Sequence, residues 1–447
     1  MIPITLSRST IRVVLPLFVR SRVCGLRTIA TANRHANVQR QPFALRGSIA
    51  RASVAVPEPS QPLPESSLAV SSEKTVDIRW PNGQQSHYNH VWLRDHCRCP
   101  DCYHQITRQR LVDTFAIPHD IHPVALVSAK DALEITWSND LHQSSYSWSW
   151  LLQHSYPPLV NQDSDQPVQI LWGTEIAQSP PIVQHDDVMH SDTALARWLG
   201  LISTYGFCFV DGVPSTPAAT ELLARRISPP RPTHYASGLW DFTADLAHGD
   251  TAYTNLALRA HTDTTYFTDP AGLQLFHLLE FEGRGGQSLL VDGFRAAHEL
   301  EQRWPEAYRT LSEVRVPTHS AGDEGVFITP TPRAFPILNH EPTTGRLYQV
   351  RYNNDDRSTL SRLGPGEVEK FYDALRKWSK VLEEPASEFW TALRPGRAMI
   401  FDNWRCLHGR AAFVGHRRLC GVYLNWDDYR SRARVIGISE EEKETWI

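Results

Sequence analysis

Residues 258–267 read LRAHTDTTYF and place a histidine, His261, and a carboxylate, Asp263, one residue apart. Side chains at i and i+2 of an extended strand leave it on the same side, so these two can grip one cation together. The triplet alone is not selective, because His-x-Asp also begins at His185, His190 and His248. His261 stands out by its company further along: FDNWRCLHGR places His408 at the close of the strand-like run RAMIF, and Arg417 follows nine residues later. Two imidazoles and one carboxylate on one face of a ferrous ion leave three positions open, enough for a cosubstrate chelating through two oxygens and for dioxygen. An arginine beside them suits the bidentate clamping of that cosubstrate's distal carboxylate.

A second cluster has different chemistry. HVWLRDHCRCPDCYH holds Cys97, Cys99 and Cys102. Three thiolates so close together converge on one tetrahedral ion when a fourth ligand arrives from elsewhere, the build of a structural Cys₃His zinc site. His96, His104, His142 and His154 are the candidates. His142 is preferred, because it follows a strand that can fold back, whereas a neighbour such as His104 strains a loop already carrying three ligands. The bland alternative is three ordinary buried thiols.

The elements that must position these residues fall into two groups. Around the cysteines, TVDIRW, ALVSA and LEITW alternate with PNG and SND turns and predict a small β domain, which a metal would staple. After residue 185, strand-like runs (GFCFVDG, GLQLFHLL, SLLVDG, GRLYQVRY, RAMIFDN, LCGVYLNW) alternate with helical ones (TALARWLGLIST, GEVEKFYDALRKWSKVLEE). They predict a mixed but mainly β architecture, a barrel or sandwich flanked by helices.

The 447 residues have room for two or three domains. A formal net charge of -4 offers a polyanion nothing, which excludes nucleic acid as an expected partner. Apolar runs such as VVLPLFV at 13–19 fall far short of the roughly 20 residues a spanning helix needs, so no membrane span is expected. Seven cysteines are too few for a disulfide scaffold in a chain of this length. The first acidic residue is Glu58, whereas nine arginines precede it. That composition predicts a mitochondrial transit peptide over 1–57 and a matrix location. A Pro/Ser-rich linker over 58–72, the zinc-binding β domain over 73–155, a second linker over 156–185 and the larger domain over 186–437 complete the expected organisation.

From about Thr75 to Gly437 the chain resembles the TauD-like iron(II)/2-oxoglutarate dioxygenases, in the branch that holds the γ-butyrobetaine and trimethyllysine dioxygenases. WLRDHCRCPDCY, DTAYTNLALRAHTDTTYF, GGQSLLVDGF, RYNN, FDNWRCLHGR and LCGVYL carry the resemblance, and DTAYTNLAL and LCGVYL lie closer to the trimethyllysine side. The resemblance implies a double-stranded β-helix, or jelly roll, and a homodimer. It implies that His261, Asp263 and His408 hold Fe(II), that Arg417 and Ser288 bind 2-oxoglutarate, and that Cys97, Cys99, Cys102 and His142 hold zinc. Dioxygen is then consumed, with ascorbate as the supporting reductant. A trimethylammonium group has no proton to donate, so only aromatic faces and apolar contact can hold it. The family's cage falls on Trp240, Tyr253 and Tyr423, with Tyr235 as a fourth wall. Asp250 and Asn353 or Asn354 match the positions that receive the α-amino and α-carboxyl ends.

The expected reaction is hydroxylation of trimethyllysine at C3, with 2-oxoglutarate leaving as succinate and CO₂, the first step toward carnitine. Hydroxylation of γ-butyrobetaine is the near alternative, and a zinc-stapled binding protein without catalysis is the alternative of another class. The chain departs from the family pattern in two places. HYASGLW is one residue longer than the usual spacing between the cage tyrosine and tryptophan, and Arg259 stands where an acidic residue is expected.

Overall fold

The computed structural model describes residues 68–156, 168–243 and 254–437. The expected transit peptide, His248, Asp250 and Tyr253 lie outside them.

The amino-terminal part contains two three-stranded antiparallel meanders, Leu68–Ser71/Thr75–Arg79/Gln85–Asn89 and Pro123–Ser128/Ala132–Trp137/Gln143–Ser147. Its first strand falls inside the stretch expected to be linker, because LAVS pairs residue for residue with VDIR and its flanking Pro and Ser obscure it. Strict alternation buries Val76, Ile78, Tyr88, Leu133, Ile135, Trp137 and Tyr146 in one core. Each meander runs into a one-and-a-half-turn helix, His90–Asp95 or Trp148–Gln153. The two halves repeat each other's polar anchors. Trp80 donates to Ser86 as Trp137 does to Ser144 (2.8 and 2.9 Å), while Tyr88 donates to the Leu151 carbonyl and Tyr146 to that of Leu93. These reciprocal bonds satisfy two of the buried hydroxyls and two of the buried indoles of this core.

The larger part is built on two sheets. The large one orders its strands Trp240–Phe242, Phe413–Leu424, Leu273–Gly285, Arg397–Asp402, Phe207–Asp211 and Ile182–Gln184, all antiparallel except the last pair. The small one orders Leu258–His261, Cys406–Arg410, Ser288–Asp292 and Phe389–Thr391, antiparallel throughout. Alternation sorts their side chains into three layers. Phe207, Phe209, Met399 and Phe401 from the large sheet meet Leu290, Phe389 and Cys406 from the small one between the sheets. The intervening Cys208, Val210, Ala398 and Ile400 face outward onto helices Asp192–Tyr205, Pro217–Arg225 and Trp426–Gly437. Leu289, Val291 and Leu407 leave the small sheet's outer face toward helices Gly293–Arg303, Pro305–Glu313 and Pro365–Leu382. Of the stretch expected as linker over 156–185, residues 168–185 are part of this body: Trp172 is buried between the sheets, and Ile182–Gln184 forms the edge strand.

One ion pair locks the layers near the site. Arg405 and Asp292 have fully buried side chains and meet at 2.8 Å. Arg405 also donates to the carbonyls of Thr204 and Ile170, and Asp292 caps the helix Gly293–Arg303 by accepting from the amides of Phe294 and Arg295. Asp292→Ala strands a buried guanidinium and removes a helix cap, so a loss of about 3–5 kcal/mol in unfolding free energy is expected, read by denaturant titration.

Candidate active site

His261 and His408 face each other as register partners on adjacent antiparallel strands, Leu258–His261 and Cys406–Arg410. Gly409 lets these strands approach, since a Cβ there would lie 2.6 Å from the Leu258 carbonyl oxygen. Thus His408 does not close the RAMIF strand; it sits mid-strand after the turn that follows it. Asp263 is likewise not the strand partner of His261 expected from i, i+2 alternation. The strand ends at His261 and Asp263 lies on the bend beyond it, followed by Thr264 at φ 59°. A β-branched residue in the left-handed region is strained, and here its neighbours hold it. Thr264 Oγ1 accepts from the Ala271 amide, and Asn403 clasps Asp263 by accepting from its amide (2.8 Å) and donating to its carbonyl (3.0 Å).

Asp263 Oδ1 lies 3.2 Å from His261 Nε2 and 3.6 Å from His408 Nε2. Three bonds of about 2.1 Å meeting one ion at right angles put their donors about 3 Å apart, so the set fits a divalent metal bound on one face. Its hydrogen bonds agree. Nδ1 of His261 donates to the Arg259 carbonyl at 2.7 Å, which leaves Nε2 as the ligand atom, and Oδ2 of Asp263 accepts from Gln274 and Tyr423 (2.7 and 2.8 Å), which leaves Oδ1 toward the histidines. Burial opposes a charge on His261, but Asp263 outweighs it and raises the imidazolium to about 9. Burial and the neighbouring His261 push His408 down to about 3, and the two histidines hold Asp263 well below the carboxylate range against its burial. The Asp263 carboxylate thus draws positive charge to the facing imidazole nitrogens, and a divalent ion there would displace the His261 proton.

The triad opens into a cavity of about 480 Å³. Arg417 and Ser288 line it together, Ser288 opposite Arg410 in the small sheet and Arg417 opposite Phe281 in the large one. Arg417 is 6% exposed and, among the described residues, no carboxylate pairs with it. Burial, then the nearby Arg410, depress it to about 10, so it stays charged at neutral pH and calls for an anion. Arg410 escaped the sequence reading; it donates to the carbonyls of Thr254 and Leu256 beside the same cavity.

Trp240 and Tyr423 form an aromatic wall of the cavity, with ring centroids 6.3 Å apart. Gly421 makes room for it, because a Cβ there would lie 2.4 Å from the Trp240 ring. Tyr235 lines the cavity as well, its hydroxyl 3.0 Å from that of Tyr266. Asn353 and Asn354 also line it, their side-chain oxygens accepting from the Asp355 amide and from Arg357, so their amide N–H groups are what they offer a ligand. Arg259 lines the mouth with its side chain 86% exposed and 3.4 Å from Glu383; only its carbonyl touches the triad. The His-x-Asp triplets at His185 and His190 lie on and just after the short helix His185–His190, away from the triad.

At the cysteine cluster, His142 Nε2 lies 3.3, 3.6 and 3.5 Å from the sulfurs of Cys97, Cys99 and Cys102. Tetrahedral zinc with one nitrogen and three sulfur ligands sets such pairs about 3.5 Å apart. His142 is delivered by a hairpin turn in which Asp140 and Leu141 both have positive φ. The rival histidines are engaged otherwise. His96 and His154 donate to the Trp92 and Trp150 carbonyls and stack on those indoles, and His104 accepts from the amides of Ile106 and Thr107.

Sandwiched sheets, a two-histidine, one-carboxylate cluster and a buried arginine in one cavity define a class of iron oxygenase. Residues 164–423 match the family model of the taurine catabolism dioxygenases TauD, TfdA, and residues 69–152 match that of the gamma-butyrobetaine hydroxylase-like N-terminal domain. The chain belongs to the TauD, TfdA dioxygenase family. It is 43% identical to the trimethyllysine dioxygenase of Meyerozyma guilliermondii, a match spanning 82% of this chain and 94% of that one. It is 42% identical to the mitochondrial trimethyllysine dioxygenase of Homo sapiens (78% and 83%), and 30% identical to the gamma-butyrobetaine dioxygenase of a Pseudomonas species (82% and 95%).

Proposed function

We propose that this chain hydroxylates N6,N6,N6-trimethyllysine at C3, converting it with 2-oxoglutarate and O₂ to 3-hydroxy-N6,N6,N6-trimethyllysine, succinate and CO₂. The observation that carries the reading is that the triad, a buried Arg417 with no carboxylate partner among the described residues and the Trp240–Tyr423 wall meet in one cavity. The much higher identity to trimethyllysine dioxygenases than to the γ-butyrobetaine enzyme favours the first substrate.

His261, Asp263 and His408 would hold iron(II), which supplies the dioxygen chemistry when bound. Arg417, with Ser288, fixes the distal carboxylate of 2-oxoglutarate and so orients its keto acid end toward the triad. Trp240 and Tyr423, with Tyr235 and Tyr253, receive the trimethylammonium group through their ring faces. Asp250 is assigned the α-amino group and the amides of Asn353 and Asn354 the α-carboxylate. With both ends fixed, C3 is held toward the metal face. The two sheets form a double-stranded β-helix around this site, and the protein works as a homodimer of the mitochondrial matrix supported by ascorbate.

Incubating the enzyme with iron, ascorbate and 2-oxoglutarate, separately with trimethyllysine and with γ-butyrobetaine, tests the choice. A mass gain of one oxygen on trimethyllysine is expected; turnover of γ-butyrobetaine alone sinks the assignment, and turnover of neither favours a binding protein.

The amino-terminal cluster would hold a structural zinc, since all four ligand atoms are committed and none is left for substrate. Cys99→Ser is expected to lower zinc content and melting temperature while leaving iron content unchanged, measured by elemental analysis and calorimetry. Loss of both metals together would show that the sites are not separate.

A further inference from the structure

The two oxygens of Asp263 are held differently. Oδ1 faces the histidines, whereas Oδ2 accepts from the Gln274 amide at 2.7 Å and from the Tyr423 hydroxyl at 2.8 Å. Gln274 and Tyr423 are register partners on adjacent strands of the large sheet, so the pair is delivered as a unit. Both are buried, and the other amide atom of Gln274, Oε1, has no hydrogen-bond partner among the described residues. An unpaired buried carbonyl costs about 1–3 kcal/mol, which an apolar residue here would avoid. What Gln274 adds in exchange is its donor to Asp263.

Tyr423 has a second duty on its ring face, beside Trp240 in the wall of the cavity. A cation lying against a phenol ring draws electron density from it and strengthens its O–H as a donor. A stronger bond to Oδ2 takes charge from the carboxylate, and Oδ1 then donates less to a bound ion.

We propose that Gln274 and Tyr423 are positioning residues that keep Asp263 a one-oxygen metal ligand, and that Tyr423 relays occupancy of the aromatic pocket to the metal. The relay rests on the substrate reading above; the holding role does not. Gln274 and Tyr423 join the sheet that carries the substrate wall to the ligand set of the other sheet, so the coupling runs through one hydroxyl.

Cobalt(II), titrated into metal-free protein as a spectroscopic stand-in for iron(II), separates the two roles. Tyr423→Phe and Gln274→Leu are each expected to weaken cobalt binding roughly 10- to 100-fold. Adding trimethyllysine should shift the cobalt absorption bands of the wild-type protein and leave those of Tyr423→Phe unmoved, although equilibrium dialysis still shows trimethyllysine bound. Tyr423→Phe keeps the ring and the packing, so it carries the test even if Gln274→Leu does not fold. Wild-type cobalt affinity in Tyr423→Phe overturns the holding role, and a wild-type spectral shift in it overturns the relay. If trimethyllysine does not bind the wild-type protein at all, the substrate reading and the relay fall with it, while the cobalt affinities still decide whether Asp263 is held as proposed.

Discussion

His261→Ala abolishes hydroxylation and succinate release together, with a loss of metal affinity larger than the roughly 100-fold that contacts to a ligand are worth. The reason is local. His261 Nε2 is one of three donors, its orientation is set by the bond from Nδ1 to the Arg259 carbonyl, and its register partner is the second histidine. Alanine removes a ligand that no neighbouring side chain replaces, since among the described residues only His408 and Asp263 complete this cluster. The fold should survive, because the strand pairing is made by backbone groups and the variant relieves a crowded, charged centre. Product formation by mass, succinate release and metal titration of the purified variant check the expectation together; succinate release at the wild-type rate would refute it.

Arg417→Gln raises the KM for 2-oxoglutarate by about two orders of magnitude. Truncating one partner of a buried, hydrogen-bonded charge pair costs about 2–5 kcal/mol, and each 1.4 kcal/mol is tenfold. Arg417→Lys does not rescue it, because an ammonium cannot reproduce the planar two-donor fork. Without cosubstrate the variant should melt no lower than wild type, for it removes a buried charge that has no carboxylate beside it among the described residues. Initial rates at varied 2-oxoglutarate and at varied trimethyllysine distinguish the outcomes. An unchanged KM for 2-oxoglutarate with a raised KM for trimethyllysine would move the clamp from cosubstrate to substrate.

Much of this site was legible because metal and anion chemistry restrict which residue types serve. His261, Asp263, His408 and Arg417 span more than 150 positions, yet imidazoles, a carboxylate and a guanidinium can be named as one set before their contacts are known. His142 was likewise named beside the cysteines it lies against, and its alternatives are engaged otherwise: His96 and His154 spend a ring nitrogen on a carbonyl one helical turn back. Gln274 was missed, although a polar residue inside the apolar run GLQLFHLL is the kind of outlier that marks a buried bond. Asn403 gave no such signal; it stands at the end of the strand-like run RAMIFDN, where a polar residue is ordinary.

The sequence by itself determined the chemistry: which side chains can bind a ferrous ion, which an anion and which a zinc ion, and that strands with flanking helices must carry them. Tertiary structure alone decided how those side chains are held. Asp263 is turned toward the two histidines because Asn403, 140 residues away, clasps its backbone, and its Oδ2 is engaged because the register of two strands sets Gln274 beside Tyr423. Ligand chemistry is a property of residue type, which a sequence states outright. Ligand orientation depends on pairings between distant strands, and those are settled only when burial of both sheet faces selects one register.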